Sequence, residues 1–282
     1  MKKFLNPKLL PLMAVIFSIC GIGLRLWTLG SGPNAAGLYP KQTAAWIVLL
    51  LFSALAVTWI RLTAGRLKKT GTYQESYPAS LIGALGILAG SIAFVICGVQ
   101  SLLSRGNMLV LLTGVLGIAA GCALAVAAFA RFKGTKPSAV CHMLPCLFMA
   151  VRIFVLCRGW SNVTQVGVFL FPFLASLAVM LALYQRSLFD VELGKRKTVV
   201  FWNLTAVYLC MVALLANTDA LLYVTLAFWH MADLCSLLPM KRPAPEGPTE
   251  APAPAVNIDI DPPKSSNPED MTMDELKEWL EN

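Results

Sequence analysis

Apolar residues in this chain neither alternate with polar ones, as in a half-buried strand, nor form a single stripe along surface helices. They come in blocks of about 20 residues. The blocks lie near Leu9–Leu29, Thr43–Leu62, Leu81–Leu103, Met108–Ala130, Ser138–Cys157, Val166–Tyr184, Val199–Leu215 and Ala220–Leu238. At 1.5 Å per residue, a helix of that length matches the roughly 30 Å hydrocarbon thickness of a bilayer. Backbone groups in lipid must pair within their own segment, so uniform blocks of this length are helices. An outer-membrane barrel would instead show alternating segments of about ten residues. The pattern therefore predicts an all-α, polytopic membrane bundle of about eight transmembrane helices. Pro145 and Pro172 are expected to kink the fifth and sixth spans.

Basic residues orient the predicted bundle. Lys2, Lys3 and Lys8 precede the first span; Arg61, Arg66, Lys68 and Lys69 follow the second; Arg131, Lys133 and Lys136 follow the fourth. Arg186, Lys195, Arg196 and Lys197 follow the sixth, and Lys241 and Arg242 follow the eighth, making sixteen on one side. The other side has four: Arg25, Lys41, Arg105 and Arg158. The positive-inside rule places the sixteen in the cytoplasm, with both termini cytoplasmic in the cell membrane. Trp27, Trp46, Trp59, Trp160 and Tyr184 fall near predicted interfaces, where amphipathic rings settle. The first apolar block is too long for a signal peptide and is expected to be retained. Asn162-Val163-Thr164 matches a glycosylation sequon in a loop predicted to be external.

Composition agrees with the pattern: 57% hydrophobic, 13% charged and a mean hydropathy of +0.68. Soluble domains carry about 25% charged residues. The eight cysteines all lie in or beside apolar blocks without a C-x-x-C pair, and are expected to be small buried hydrophobes rather than metal ligands.

Charge divides the chain. Residues 1–240, the expected eight-span domain, carry 19 basic and 5 acidic side chains, whereas residues 241–282 carry 4 basic and 10 acidic. Residues 241–270 are rich in proline and read as a disordered linker. Residues 271–282 read as a short acidic amphipathic helix, with Thr272 and Glu275 at capping-box spacing. Met273, Leu276 and Leu280 recur on it at helical spacing, with Trp279 beside them. Such a helix suits a groove on a cytoplasmic protein partner or the basic loops of its own bundle, and is a poor ligand for anionic lipid.

Ionisable groups at membrane depth are costly, so each is a candidate for function. Asp233 stands well inside the eighth span with His230 three residues earlier, and Asn203 lies at similar depth in the seventh. His142 lies near the cytoplasmic start of the fifth. The short Asn217-Thr218-Asp219 connection makes spans seven and eight a hairpin, bringing Asn203 towards Asp233. A carboxylate among histidines can bind a cation or pass a proton. The plainer alternative is interhelical hydrogen bonding that fixes packing. Arg152 lies nearer the external face and is expected to snorkel to the headgroups, or to join Gln100, Arg105 and Arg158 in a basic vestibule.

Gly83, Gly86 and Gly90 repeat the spacing of Gly114, Gly117 and Gly121 at an offset of 31. This is expected to be small-residue packing between adjacent spans, with an inverted repeat as the alternative. The chain has no P-loop, H-E-x-x-H or G-x-S-x-G motif, nothing that implies a cofactor, metal or nucleic acid, and no convincing catalytic set. Two function classes follow. One is a transporter-like or permease-like subunit that passes a small solute or ion. The other is a sensor, anchor or regulator that recruits a cytoplasmic protein through residues 271–282.

Overall fold

The computed structural model describes residues 9–30, 43–67, 77, 79–104, 106–160, 166–215 and 219–237. Eight helices account for most of them, and no strand occurs among the described residues. They are α1 (Leu10–Leu29), α2 (Thr43–Ala64), α3 (Leu81–Leu103), α4 (Met108–Lys133), α5 (Val140–Trp160), α6 (Val166–Asp190), α7 (Arg196–Ala213) and α8 (Ala220–Leu237). Residues 241–282, including the predicted linker and acidic helix, lie outside the described residues.

Local chemistry sets the helix ends. Ser80 caps α3 by accepting from the Gly83 N–H at 3.2 Å, satisfying one of the orphan donors of a helix start. Gly134 ends α4 in the left-handed region at φ 71°, where a side chain would be strained. Pro145 and Pro172 both stand inside continuous helices. The sixth helix runs past the expected end at Tyr184 to Asp190. Hydropathy falls there because Gln185, Arg186 and Asp190 are polar, yet the helix continues with Arg186 and Asp190 enclosed by protein.

Six helices form a closed ring. Each of α3, α4, α5, α6, α7 and α8 packs on the next, and α8 closes on α3. Helices α1 and α2 pack on each other and lie against α7. The middle of the ring is filled by side chains: Phe94 and Phe148 meet at 4.9 Å between ring centres, and Trp229, Leu226 and Phe171 belong to the same buried cluster. Large apolar side chains such as Leu51, Leu55, Leu103, Phe154 and Phe228 point outward. In water this surface would be a severe liability, whereas in hydrocarbon it costs nothing.

Six of the eight helices are long and apolar enough to cross a membrane, namely α1 to α6. The expected eight helices are present, and six of them have that length and apolarity among the described residues. Helices α7 and α8 have 18 residues each, about 27 Å at 1.5 Å per residue. Fourteen residues of α7 are buried, so its polar residues are matched to protein neighbours rather than to lipid. A helix enclosed in this way has no need of a uniform apolar surface.

The expected glycine packing between adjacent spans holds for the α4 glycines but not for Gly86 and Gly90. A Cβ on Gly86 would lie 2.7 Å from Ala232 Cβ, and one on Gly90 would lie 2.7 Å from the Trp229 ring, so these glycines of α3 accommodate α8. Gly114, Gly117 and Gly121 of α4 instead face α3, near Leu102, Gly98 and Val95 respectively. The Ser91 hydroxyl donates to the Gly121 carbonyl at 2.7 Å across that second seam. Gly86 and Gly90 thus serve the α3–α8 interface, whereas Gly83 lies against Arg131 of α4 and the α4 glycines serve the α3–α4 seam.

Candidate functional site

One end of the ring carries the α4–α5 and α6–α7 connections, and polar side chains from five ring helices gather there with Tyr77, just ahead of α3. They are Arg131 from α4, His142 from α5, Arg186 and Asp190 from α6, Arg196 and Asn203 from α7, and His230 and Asp233 from α8. Apart from Arg196 at 7%, all of them are between 0% and 3% exposed. Such burial is tolerable only when charges are paired and polar atoms bonded.

The pairing is unequal. His142 Nδ1 lies 2.6 Å from Asp190 Oδ2. The other Asp190 oxygen is 3.9 Å from Arg186 Nε, and Arg186 Nη1 is 3.6 Å from Asp233 Oδ2. One guanidinium is thus shared by two carboxylates on different helices. The same guanidinium lies over the Tyr77 ring at 3.2 Å, and Arg131 approaches that ring at 4.8 Å. Tyr77 also packs edge-on against Phe189, one residue before Asp190. Burial pushes the Tyr77 phenol up from its ordinary value, opposed by the field of Arg186.

His230 Nδ1 and Asn203 Oδ1 are 3.0 Å apart. An amide oxygen only accepts, so His230 Nδ1 donates and its Nε2 carries the lone pair when the ring is neutral. The Asp190 carboxylate likewise accepts from His142 Nδ1. Both Nε2 atoms, together with Asn203 Nδ2, are buried without a hydrogen-bond partner among the described residues. The His230 ring stacks on Trp229 at 5.2 Å and 9°, and Trp229 is the side chain that Gly90 admits.

Four residues singled out from the sequence, His142, Asn203, His230 and Asp233, therefore share one end of the ring. Asn203 bonds His230, while Asp233 is held by Arg186. The sequence reading missed Asp190 and Arg186, the charges that join the histidine end to Asp233. Their four-residue spacing on one helix face, with Leu188 and Phe189 between them, was the available signal. Arg131 and Arg186, counted above as surface charges that orient the bundle, are buried instead.

Arg152 is placed apart from this cluster, and the expected snorkelling is corrected. It is 8% exposed and pairs with Asp219, just before α8. A short carboxylate partner makes burial cheaper than extending to the headgroups. Nearby, the Tyr223 hydroxyl donates to the Pro172 carbonyl at 3.1 Å and lies 3.1 Å from Ser176 Oγ. Arg25 is buried between the Trp46 and Phe171 rings, at 4.9 and 5.3 Å. Met273, Leu276, Trp279 and Leu280 of the predicted partner-binding helix lie outside the described residues. Of the seven cysteines whose side chains are described, Cys97, Cys141 and Cys210 are buried and Cys146 is half-buried, whereas Cys20, Cys122 and Cys157 are exposed, which corrects the expected burial; all seven are free thiols.

Comparison of the chain with known protein families, with curated proteins and with solved structures finds no match.

Proposed function

We propose that this membrane protein is transporter-like or permease-like, moving a small solute or ion, with the polar end of the six-helix ring as its binding and coupling site. One observation carries the reading: five ring helices each send polar or charged side chains to the same buried place. A ring held together only by packing gains little from such burial, because well-packed apolar residues of similar volume hold helices at least as well. The shared guanidinium adds a second reason, since a charge with two seats can follow a change in occupancy.

Under this reading residues 1–240 are the transport domain, in the cell membrane, with the polar end and both termini cytoplasmic. Lys133, Lys136, Lys195 and Lys197 beside that end support the orientation. Residues 241–270 are a flexible linker, and residues 271–282 an acidic helix for a cytoplasmic partner. The amphipathic pattern of Met273, Leu276, Trp279 and Leu280 supports that accessory role.

Thermostability of the purified full-length protein against separate amino acids, sugars, nucleosides and monovalent ions tests the site. A solute that raises the Tm of the native protein but not of Asp233→Asn supports the reading. No stabilising solute, or equal stabilisation of Asp233→Asn, overturns it.

A further inference from the structure

We propose that the polar end is a proton site, with His142 and Asp190 as the proton seat and Arg186 as a cation that moves from Asp190 towards Asp233 when the seat fills. That the proton drives solute movement rests on the transport reading above. The seat itself rests on the geometry alone.

Asp190 has one oxygen 2.6 Å from His142 and the other 3.9 Å from Arg186, so two groups compete to neutralise a single carboxylate. Asp233 holds the same Arg186 at 3.6 Å from the far side. When His142 is neutral, its Nδ1–H supplies only a dipole, and Asp190 needs the charge of Arg186. When His142 is an imidazolium, Asp190 has a full positive partner at hydrogen-bond distance, and Arg186 is released towards Asp233. Arg186 and Asp190 lie on α6 and Asp233 on α8, with α7 between those helices in the ring. The Arg186–Asp190 pair lies within α6, so filling the seat strengthens the tie between α6 and α8.

The chemistry balances simply. His142 Nδ1–H is already committed to Asp190, so the incoming proton forms an N–H bond at Nε2, leaving its carrier as neutral water. That Nε2 is buried and has no hydrogen-bond partner among the described residues. His142 occupies the first turn of α5, beside the connection at residues 134–139, so the seat lies at the edge of the bundle rather than at mid-membrane. His230 is less suited, because its direct partner is the neutral amide of Asn203 and its ring is stacked on Trp229.

Several groups surround the pair and set its field. Arg186 comes from α6, and His230 and Asp233 come from α8. Arg131 of α4 and Arg196 of α7 act through the neighbourhood of Tyr77, and Cys141 lies next to His142 within the field of Asp190. Arg186 contacts both carboxylates at ion-pair distance.

The chain has two histidines, so imidazole ¹⁵N NMR of the full-length protein in lipid nanodiscs reads the site directly. Loss of one signal set in His230→Gln assigns the other to His142. His142 is expected to gain and lose a proton reversibly over a pH series. Asp233→Asn removes the carboxylate that competes with Asp190 for Arg186 and should lower the midpoint of that titration by about one unit, a tenfold loss of proton affinity. Arg186→Gln should raise it by a similar amount, so the test survives if either variant misfolds. Asp219→Asn, at the other end of the ring, should leave it unmoved. Failure of His142 to titrate, an unmoved midpoint in the two cluster variants, or an equal shift in Asp219→Asn would each overturn the proposal. A sound titration with no stabilising solute would sink the transport reading and leave the proton seat standing.

Discussion

The two ends of the ring bury charge in different ways. At the Arg152 end, Arg152 pairs directly with Asp219 and hydrogen-bonds Tyr223, whose hydroxyl also bonds the Pro172 carbonyl. At the other end, Arg186 is divided between Asp190 and Asp233 at 3.9 and 3.6 Å, and Asp190 is divided between Arg186 and His142. A pair in direct contact has one low-energy arrangement and works as a clasp. A shared cation has two arrangements that differ by the loading of its neighbours, which is what a bistable element requires. Buried charge is therefore no sign of function in itself. Whether a partner holds it in direct contact or shares it at longer range is more informative.

Arg186→Leu should break the comparison most severely. It leaves both carboxylates buried without their shared cation, and should cost about 3–5 kcal/mol in equilibrium unfolding. Conversely, a double change of Arg186→Leu with Asp233→Asn should recover part of that loss, because one stranded charge is removed with it. Next in size is Gly90→Ala, whose new Cβ would lie 2.7 Å from the Trp229 ring. Overpacking of this kind should cost about 1–3 kcal/mol and alter Trp229 fluorescence through its stack on His230. Tyr223→Phe removes the hydroxyl that bonds the Pro172 carbonyl, and should cost about 0.5–1.5 kcal/mol without changing any cluster property. Smallest is Lys136→Ala, since the Lys136–Glu192 pair is exposed on both sides and such pairs contribute about 0.2–1 kcal/mol. If Tyr223→Phe perturbed the cluster as strongly as Gly90→Ala, the proposed independence of the two ends would be lost.

Much of the fold was legible because lipid imposes one simple rule. Apolar length is the helix signal, and helices α1 to α6 were found within a few residues at most ends. The rule fails where protein replaces lipid as the solvent. Helix α7 is polar at its start yet buried, and α6 continues through Arg186 to Asp190 after its hydropathy has dropped. That is why His142, Asn203, His230 and Asp233 were visible as isolated polar residues in apolar blocks, whereas Asp190 and Arg186 were hidden in what read as a loop. The glycine repeat misled for a related reason. Spacing within a helix shows that a neighbour comes close, but not which neighbour, and Gly86 and Gly90 admit α8 rather than α4.

Proton flux into reconstituted vesicles tests the central claim most directly. Proteoliposomes containing the full-length protein and an internal pH-sensitive dye are diluted into an acidic mixture of amino acids, sugars and nucleosides. The account predicts internal acidification faster than in protein-free vesicles, at least about tenfold slower in Asp190→Asn and Asp233→Asn, and undiminished in Asp219→Asn, tenfold being about 1.4 kcal/mol in barrier height. Acidification no faster than in protein-free vesicles, or a native rate in Asp233→Asn, would contradict it.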